Sequence, residues 1–120
     1  MTLRELMVLL DAEVIVGETK LDIEVKAGFA ADLMSDVLSF AKPGAILLTG
    51  LTNPLVVRTA DTMDLIAIIF VRGKKPLNEA IELAKQKNIP LLATRYIMFE
   101  TCGRLYKAGI RGSITKAGKD

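Results

Sequence analysis

Apolar positions along this chain switch between a helical period and short continuous runs, and the switches mark its elements. Leu3, Leu6, Met7 and Leu10 fall on one helical face over residues 2–10. Thr2 stands at the N-cap position and Glu5 three residues later, the spacing of a capping box. The β-branched run Glu13–Val16, closed by Gly17, predicts a strand. Ile23, Val25, Ala27 and Phe29 then alternate with Glu24 and Lys26, which predicts a half-exposed strand over 23–31 near a sheet edge. Asp32 is placed to cap a helix in which Leu33, Val37 and Phe40 line one face, flanked by Met34, Leu38 and Ala41. Pro43-Gly44 stops that helix.

A regular rhythm follows. AILLT (45–49) is a continuous apolar strand, and Pro54 to about Met63 is a helix with Pro54 at its first position and Asn53 or Thr52 as cap. AIIFV (67–71) is a second apolar strand, with Arg72, Gly73, Lys74 and Lys75 as its corner. Pro76 opens the next helix, with Leu77, Ile81 and Ala84 facing inward, and Asn88-Ile89-Pro90 ends it. LLAT (91–94) is a third strand, Tyr96 to about Lys107 a last helix ended by Gly109, and the final eleven residues read as irregular. Apolar strands alternating with helices predict a βαβαβ unit whose parallel sheet is buried on both faces, with right-handed crossovers. The expected architecture is α/β: three layers, α/β/α, with a mixed, mostly parallel sheet of about five strands. The 120 residues carry no repeat or linker and read as one domain, with 109–120 as a flexible basic tail.

Composition refines this picture at three points. Half the residues are hydrophobic but only six are Phe or Tyr, so the core must be aliphatic. No apolar run approaches the roughly 20 residues of a membrane span. The first residues read as a helix rather than an export signal, and a single cysteine closes no intrachain disulfide, so a reducing cytoplasm is the expected setting. The net charge of +2 is uneven: residues 1–103 carry −2 and residues 104–120 carry +4. That tail lacks the interleaved aromatics and the density of a nucleic-acid patch, so it reads as a solvated terminus.

Chemistry is expected at one sheet edge. The corners after the three parallel strands bring together Thr49, Gly50, Thr52 and Asn53, then Arg72, Gly73 and Lys74, then Thr94, Arg95 and Tyr96. Hydroxyls, glycines, helix N-termini and cations in one place suit an anion such as a phosphate. The same residues also serve as ordinary helix-start and turn chemistry, and neither glycine-rich nucleotide fingerprint is present. Catalysis is not expected: the chain has no histidine, and Cys102 reads as a small packing residue rather than a nucleophile. The pairs Asp32/Asp36 and Asp61/Asp64 are a helical turn apart, but Asp32 serves better as a cap and the others as solvated faces. No metal or cofactor is expected. Met7, Met34, Met63 and Met98 sit at positions that suit packing. The aliphatic surplus, with the apolar stretch GFAADLM, predicts a homodimer.

The segments GFAADLMSDVLSFAKPGAILLTGLTNP, AIIFVRGKKP and IPLLATRYIMFETCGRL, in that order, resemble the DRTGG domain from about Ala12 to Leu105. The family's Asp-Arg pair falls on Leu51-Thr52 and its Thr-Gly-Gly on Val71-Arg72-Gly73, so only Gly73 is kept, and a role tied to the charged pair does not transfer. The resemblance implies a fold similar to the N-terminal domain of HPr kinase/phosphorylase. It also implies a regulatory, non-catalytic role beside CBS domains in pyrophosphatases or on phosphotransacetylase-type enzymes, where such domains help subunits associate. Some stand-alone members lie near hydrogenase and histidine-kinase genes, and the resemblance thereby implies a larger regulatory or redox-enzyme partner. The resulting expectation is a homodimeric regulatory domain that docks on a partner protein. The alternative is a sensor of an adenine nucleotide or another phosphate compound at the sheet edge, and a third reading is an enzyme acting on a phosphorylated substrate.

Overall fold

The computed structural model describes residues 1–118. Lys119 and Asp120, the end of the basic tail, lie outside the described residues. Helix α1 (Leu3–Leu9) leads into β1 (Glu13–Val16), a short 3-10 turn at Glu18–Lys20, and β2 (Ala27–Ala30). Then α2 (Met34–Phe40), β3 (Ile46–Thr49), α3 (Pro54–Thr62), β4 (Ala67–Phe70), α4 (Asn78–Lys87), β5 (Leu91–Ala93) and α5 (Met98–Lys107) alternate, before a last short strand β6 (Arg111–Gly112).

The six strands form one sheet in the order β1-β5-β4-β3-β2-β6. Every pairing is parallel except β1 with β5, which is antiparallel. The central strands carry no polar residue but Thr49, because both of their faces are covered. Leu47, Ile68, Phe70 and Leu91 point into the layer made by α2, α3 and α4. Ile46, Leu48, Ile69 and Leu92 point to the opposite layer, where Leu3, Leu6 and Leu10 of α1 meet Leu105 of α5. This is the three-layer α/β/α architecture the alternation predicts, with six strands rather than about five.

The extra strand comes from the segment after Gly109. Arg111 and Gly112 pair beside Ala27 and Gly28, and the Ser113 N–H donates to the Gly28 carbonyl at 3.0 Å. Two residues leave no periodic signal in a sequence, and what they satisfy is the open edge of β2.

Four local expectations shift. The stretch 23–31 is not one strand: Glu24 makes an isolated bridge to Thr2, and the strand begins only at Ala27. Ile23 and Val25 pack with α1, whereas Ala27 and Phe29 pack on the other layer, so the alternation breaks at Lys26. The buried stripe of α2 is Met34, Val37 and Ala41, leaving Leu33 and Leu38 exposed. Helix α4 starts two residues after Pro76, and Leu77 becomes its exposed N-cap residue instead of an inward one. Helix α5 likewise starts at Met98, so Tyr96 belongs to the corner before it.

Candidate functional site

The corners after β3, β4 and β5 meet at the carboxyl edge of the parallel strands, and hydrogen bonds lock them together. The Thr49 hydroxyl is buried and donates to Asp32 Oδ1 at 2.9 Å; the Gly50 N–H donates to the same oxygen at 2.7 Å. Asp32 therefore caps no helix. It stands just past β2 at the same edge, and its carboxylate takes two donors at the end of β3 that an anion could use. The Leu51 N–H turns back to Thr49 Oγ1 at 3.2 Å, which completes the turn.

The second corner is held by the third. The Arg72 N–H donates to the Tyr96 carbonyl at 2.8 Å and the Gly73 N–H to the Thr94 carbonyl at 3.0 Å. These bonds keep Arg72 at φ +54° and Gly73 at φ +70°. The left-handed region is unfavourable for a residue with a Cβ. Its result is that the Arg72 guanidinium lies over Gly50, with Nε only 2.8 Å from where a Cβ on Gly50 would stand. Glycine at 50 is what lets the guanidinium approach the backbone so closely.

The remaining predicted site residues divide between structural and open roles. Asn53 caps α3, its Oδ1 accepting from the Leu55 N–H at 3.0 Å, and the Thr52 carbonyl accepts from the Leu77 N–H at 3.0 Å. Thr94 is buried, and its hydroxyl donates to the Leu10 carbonyl at 2.6 Å, tying the end of α1 to the end of β5. The Tyr96 ring lies beneath the Arg104 guanidinium at 4.0 Å. Lys74 and Arg95 are exposed and, like Arg72, form no ion pair among the described residues.

Gly73, Thr94 and Arg95 line an open hollow of about 250 Å³, together with Asp11, Glu13 and Lys75. Asp11 and Glu13 have no counterpart among the predicted site residues. They arrive because β1 runs antiparallel beside β5 and sets Glu13 opposite Ala93, a pairing that no local pattern reveals. Glu13 forms an ion pair with Lys75, so Arg95 is the unpaired cation of this hollow among the described residues.

A second and larger hollow, of about 400 Å³, lies between α5, β2 and the segment that carries β6. Cys102 on α5 lines it half-buried, and burial pushes its thiol pKa up, so the sulfur is a neutral thiol at neutral pH. Among the described residues no three His, Cys, Asp or Glu side chains cluster as a metal site. None of the helices described is long and apolar enough to cross a membrane.

These features define an α/β domain whose parallel strands end in a hydrogen-bonded rim carrying exposed cations. The chain belongs to the DRTGG domain family, whose model matches residues 5–108. Among solved structures the chain is similar to the CBS and DRTGG domains of the regulatory region of Clostridium perfringens pyrophosphatase, complexed there with its activator diadenosine tetraphosphate. The identity is 23% and the TM-score 0.73; the match covers 87% of this chain and 45% of that one. No curated protein matches the chain in sequence.

Proposed function

We propose that this domain is a non-catalytic regulatory module that senses an adenine nucleotide or another phosphate compound at the carboxyl edge of its sheet. The observation that carries this reading is Arg72. Its backbone is held in the left-handed region by two bonds from the neighbouring corner, and its guanidinium is laid over Gly50 with no carboxylate paired to it among the described residues. Backbone strain at a charged, exposed residue is kept where surrounding structure over-determines it, and such places concentrate at ligand sites. Lys74 and Arg95 stand on the same edge and supply further charge-assisted donors. Membership of the DRTGG family and the activator bound in the similar regulatory region support a nucleotide as the ligand class. The absence of histidine argues against acid–base chemistry.

A thermal-shift panel of ATP, ADP, diadenosine tetraphosphate and inorganic phosphate tests the proposal. A ligand at 100 times its dissociation constant stabilises by about 2.7 kcal/mol, several degrees for a domain of this size. The expected result is such a shift with at least one nucleotide, lost in Arg72→Ala. No shift with any of the four compounds contradicts it.

Exposed apolar residues favour a second element of the same role, association with another copy. Phe99 is 88% exposed at the start of α5, beside Ile97 at 60%. Exposed apolar side chains of this size two positions apart suit an interface. Light scattering after size exclusion at micromolar concentration gives a dimer under this reading and a monomer for Phe99→Asp; a wild-type monomer contradicts it.

A further inference from the structure

The hollow between α5 and the segment carrying β6 is separate from the cationic edge and takes no part in the role proposed above. Its floor is β2 with Leu48 of β3, one wall is α5 with Leu105, and the other wall is the chain from Ile110 to Thr115. Four of its lining side chains are large and apolar: Leu48, Leu105, Ile110 and Ile114; Phe29 packs its ring on the other layer and borders the hollow only by its place in β2. At about 400 Å³ it is the size of a small-molecule site. The second wall lies beyond residue 108, outside the stretch matched by the family model, so the hollow is built partly by residues that the match does not include.

Two features select the occupant. Charge comes first: Arg111 is the one charged side chain among the lining residues, which include no Asp or Glu. Its guanidinium stacks over the Tyr106 ring at 4.5 Å and forms no ion pair among the described residues. Stacking fixes the cation without neutralising it. Shape comes second: Gly28 puts no side chain into the floor, and a Cβ there would stand 3.4 Å from Ile46 Cγ1 and 3.8 Å from Ile110 Cγ2, an ordinary packing distance. The missing side chain leaves room, and the position would accept one without backbone strain.

We propose that this hollow binds a small monoanion with an apolar body, such as a short-chain or aryl carboxylate, the body between α5 and the β6 segment and the carboxylate on Arg111. The apolar lining takes up the body by burial of its surface. The single cation takes the single anionic group through a bidentate, charge-assisted pair. Cys102 on the α5 wall is then covered by the bound molecule.

The full chain is titrated calorimetrically with octanoate and with indole-3-acetate, and Cys102 alkylation by iodoacetamide is timed with and without each compound. Saturable one-to-one binding is expected, with alkylation slowed at least fivefold. Arg111→Gln, at an exposed position, is expected to weaken binding of both carboxylates about tenfold while leaving the neutral analogue indole-3-acetamide unchanged. Gly28→Leu fills the floor and is expected to abolish binding, with Gly28→Ala as the folded control that retains it. No binding by either compound at millimolar concentration overturns the proposal. So does binding that leaves Cys102 equally reactive, or that Arg111→Gln does not weaken. ATP is the outgroup: binding at the Arg72 edge leaves Cys102 alkylation unchanged, so failure here and failure of the edge proposal are read separately.

Discussion

At the scale of single residues, Asp32 and Arg72 define the candidate edge. Asp32 is an anion supplied by the chain itself, accepting from a buried hydroxyl and a backbone N–H of the β3 corner. Asp32→Ala leaves both donors unpaired, and such groups cost roughly 1–3 kcal/mol each when water cannot reach them. A loss of about 2 kcal/mol in urea unfolding is expected, with Asp32→Asn losing about half as much because an acceptor oxygen stays. Added sulfate should restore part of the Asp32→Ala loss and none in the wild type; no restoration would mean that the corner does not accept an external anion. Arg72 carries the opposite trade. Arg72→Gly relieves the left-handed backbone, worth about 1 kcal/mol against the freedom glycine gains when unfolded. The variant should therefore melt no lower than the wild type while losing the nucleotide response, whereas a melting point several degrees lower would make Arg72 a structural residue. Neither role was open to local reading. Asp before a helical pattern reads as a cap, and only the pairing of β2 beside β3 carries Asp32 to Thr49. The positive φ of Arg72 is imposed by bonds from residues 94 and 96, more than twenty positions away.

At the scale of elements, caps and turns were legible because their signals are local. The capping box of Thr2 and Glu5 forms, as does the Asn53 cap with Pro54 behind it. Glu5 accepts first from the Thr2 backbone N–H and then from the Thr2 hydroxyl, and these bonds hold its pKa below the ordinary carboxylate value. A depressed folded-state pKa contributes stability above the unfolded value, lost as the pH falls through the folded value. The melting temperatures of the wild type and Glu5→Gln should therefore differ most near neutral pH and converge as the pH falls below the carboxylate range; a gap independent of pH would show that the Glu5 charge does not matter. Gly17 ends β1 at φ +95°, and a Cβ there would stand 2.8 Å from Pro90 Cα, a backbone atom that cannot swing aside. Gly17→Ala should destabilise by about 2 kcal/mol or more in equilibrium unfolding; a loss under 0.5 kcal/mol would show that the β1–β5 edge yields easily. Legibility failed where tertiary pairing decides. The alternation over 23–31 looks like one strand, yet the bridge from Glu24 to Thr2 splits it between two layers.

For the whole molecule, the layer order followed from the apolar runs at 45–49, 67–71 and 91–94, since only a doubly covered parallel sheet needs such strands. Where the edges fall did not follow. Antiparallel β1 brings Asp11 and Glu13 to the hollow beside Arg95, where charges of both signs meet, and β6 closes the far edge while forming one wall of the apolar hollow. The molecule thus offers two chemically different surfaces, a rim with exposed cations at one end of its strands and a mostly apolar hollow with a single cation beside α5. The chain is a member of the DRTGG family, and its fold is similar to that of the solved CBS and DRTGG domains. The claim that the rim is the sensing surface is tested most directly by a 1H–15N titration of the full chain with ATP. The account predicts saturable shifts centred on the amides of Gly50, Arg72, Gly73 and Arg95, lost in Arg72→Ala. Amides that do not move at millimolar ATP, or shifts that spare those four residues, would contradict it.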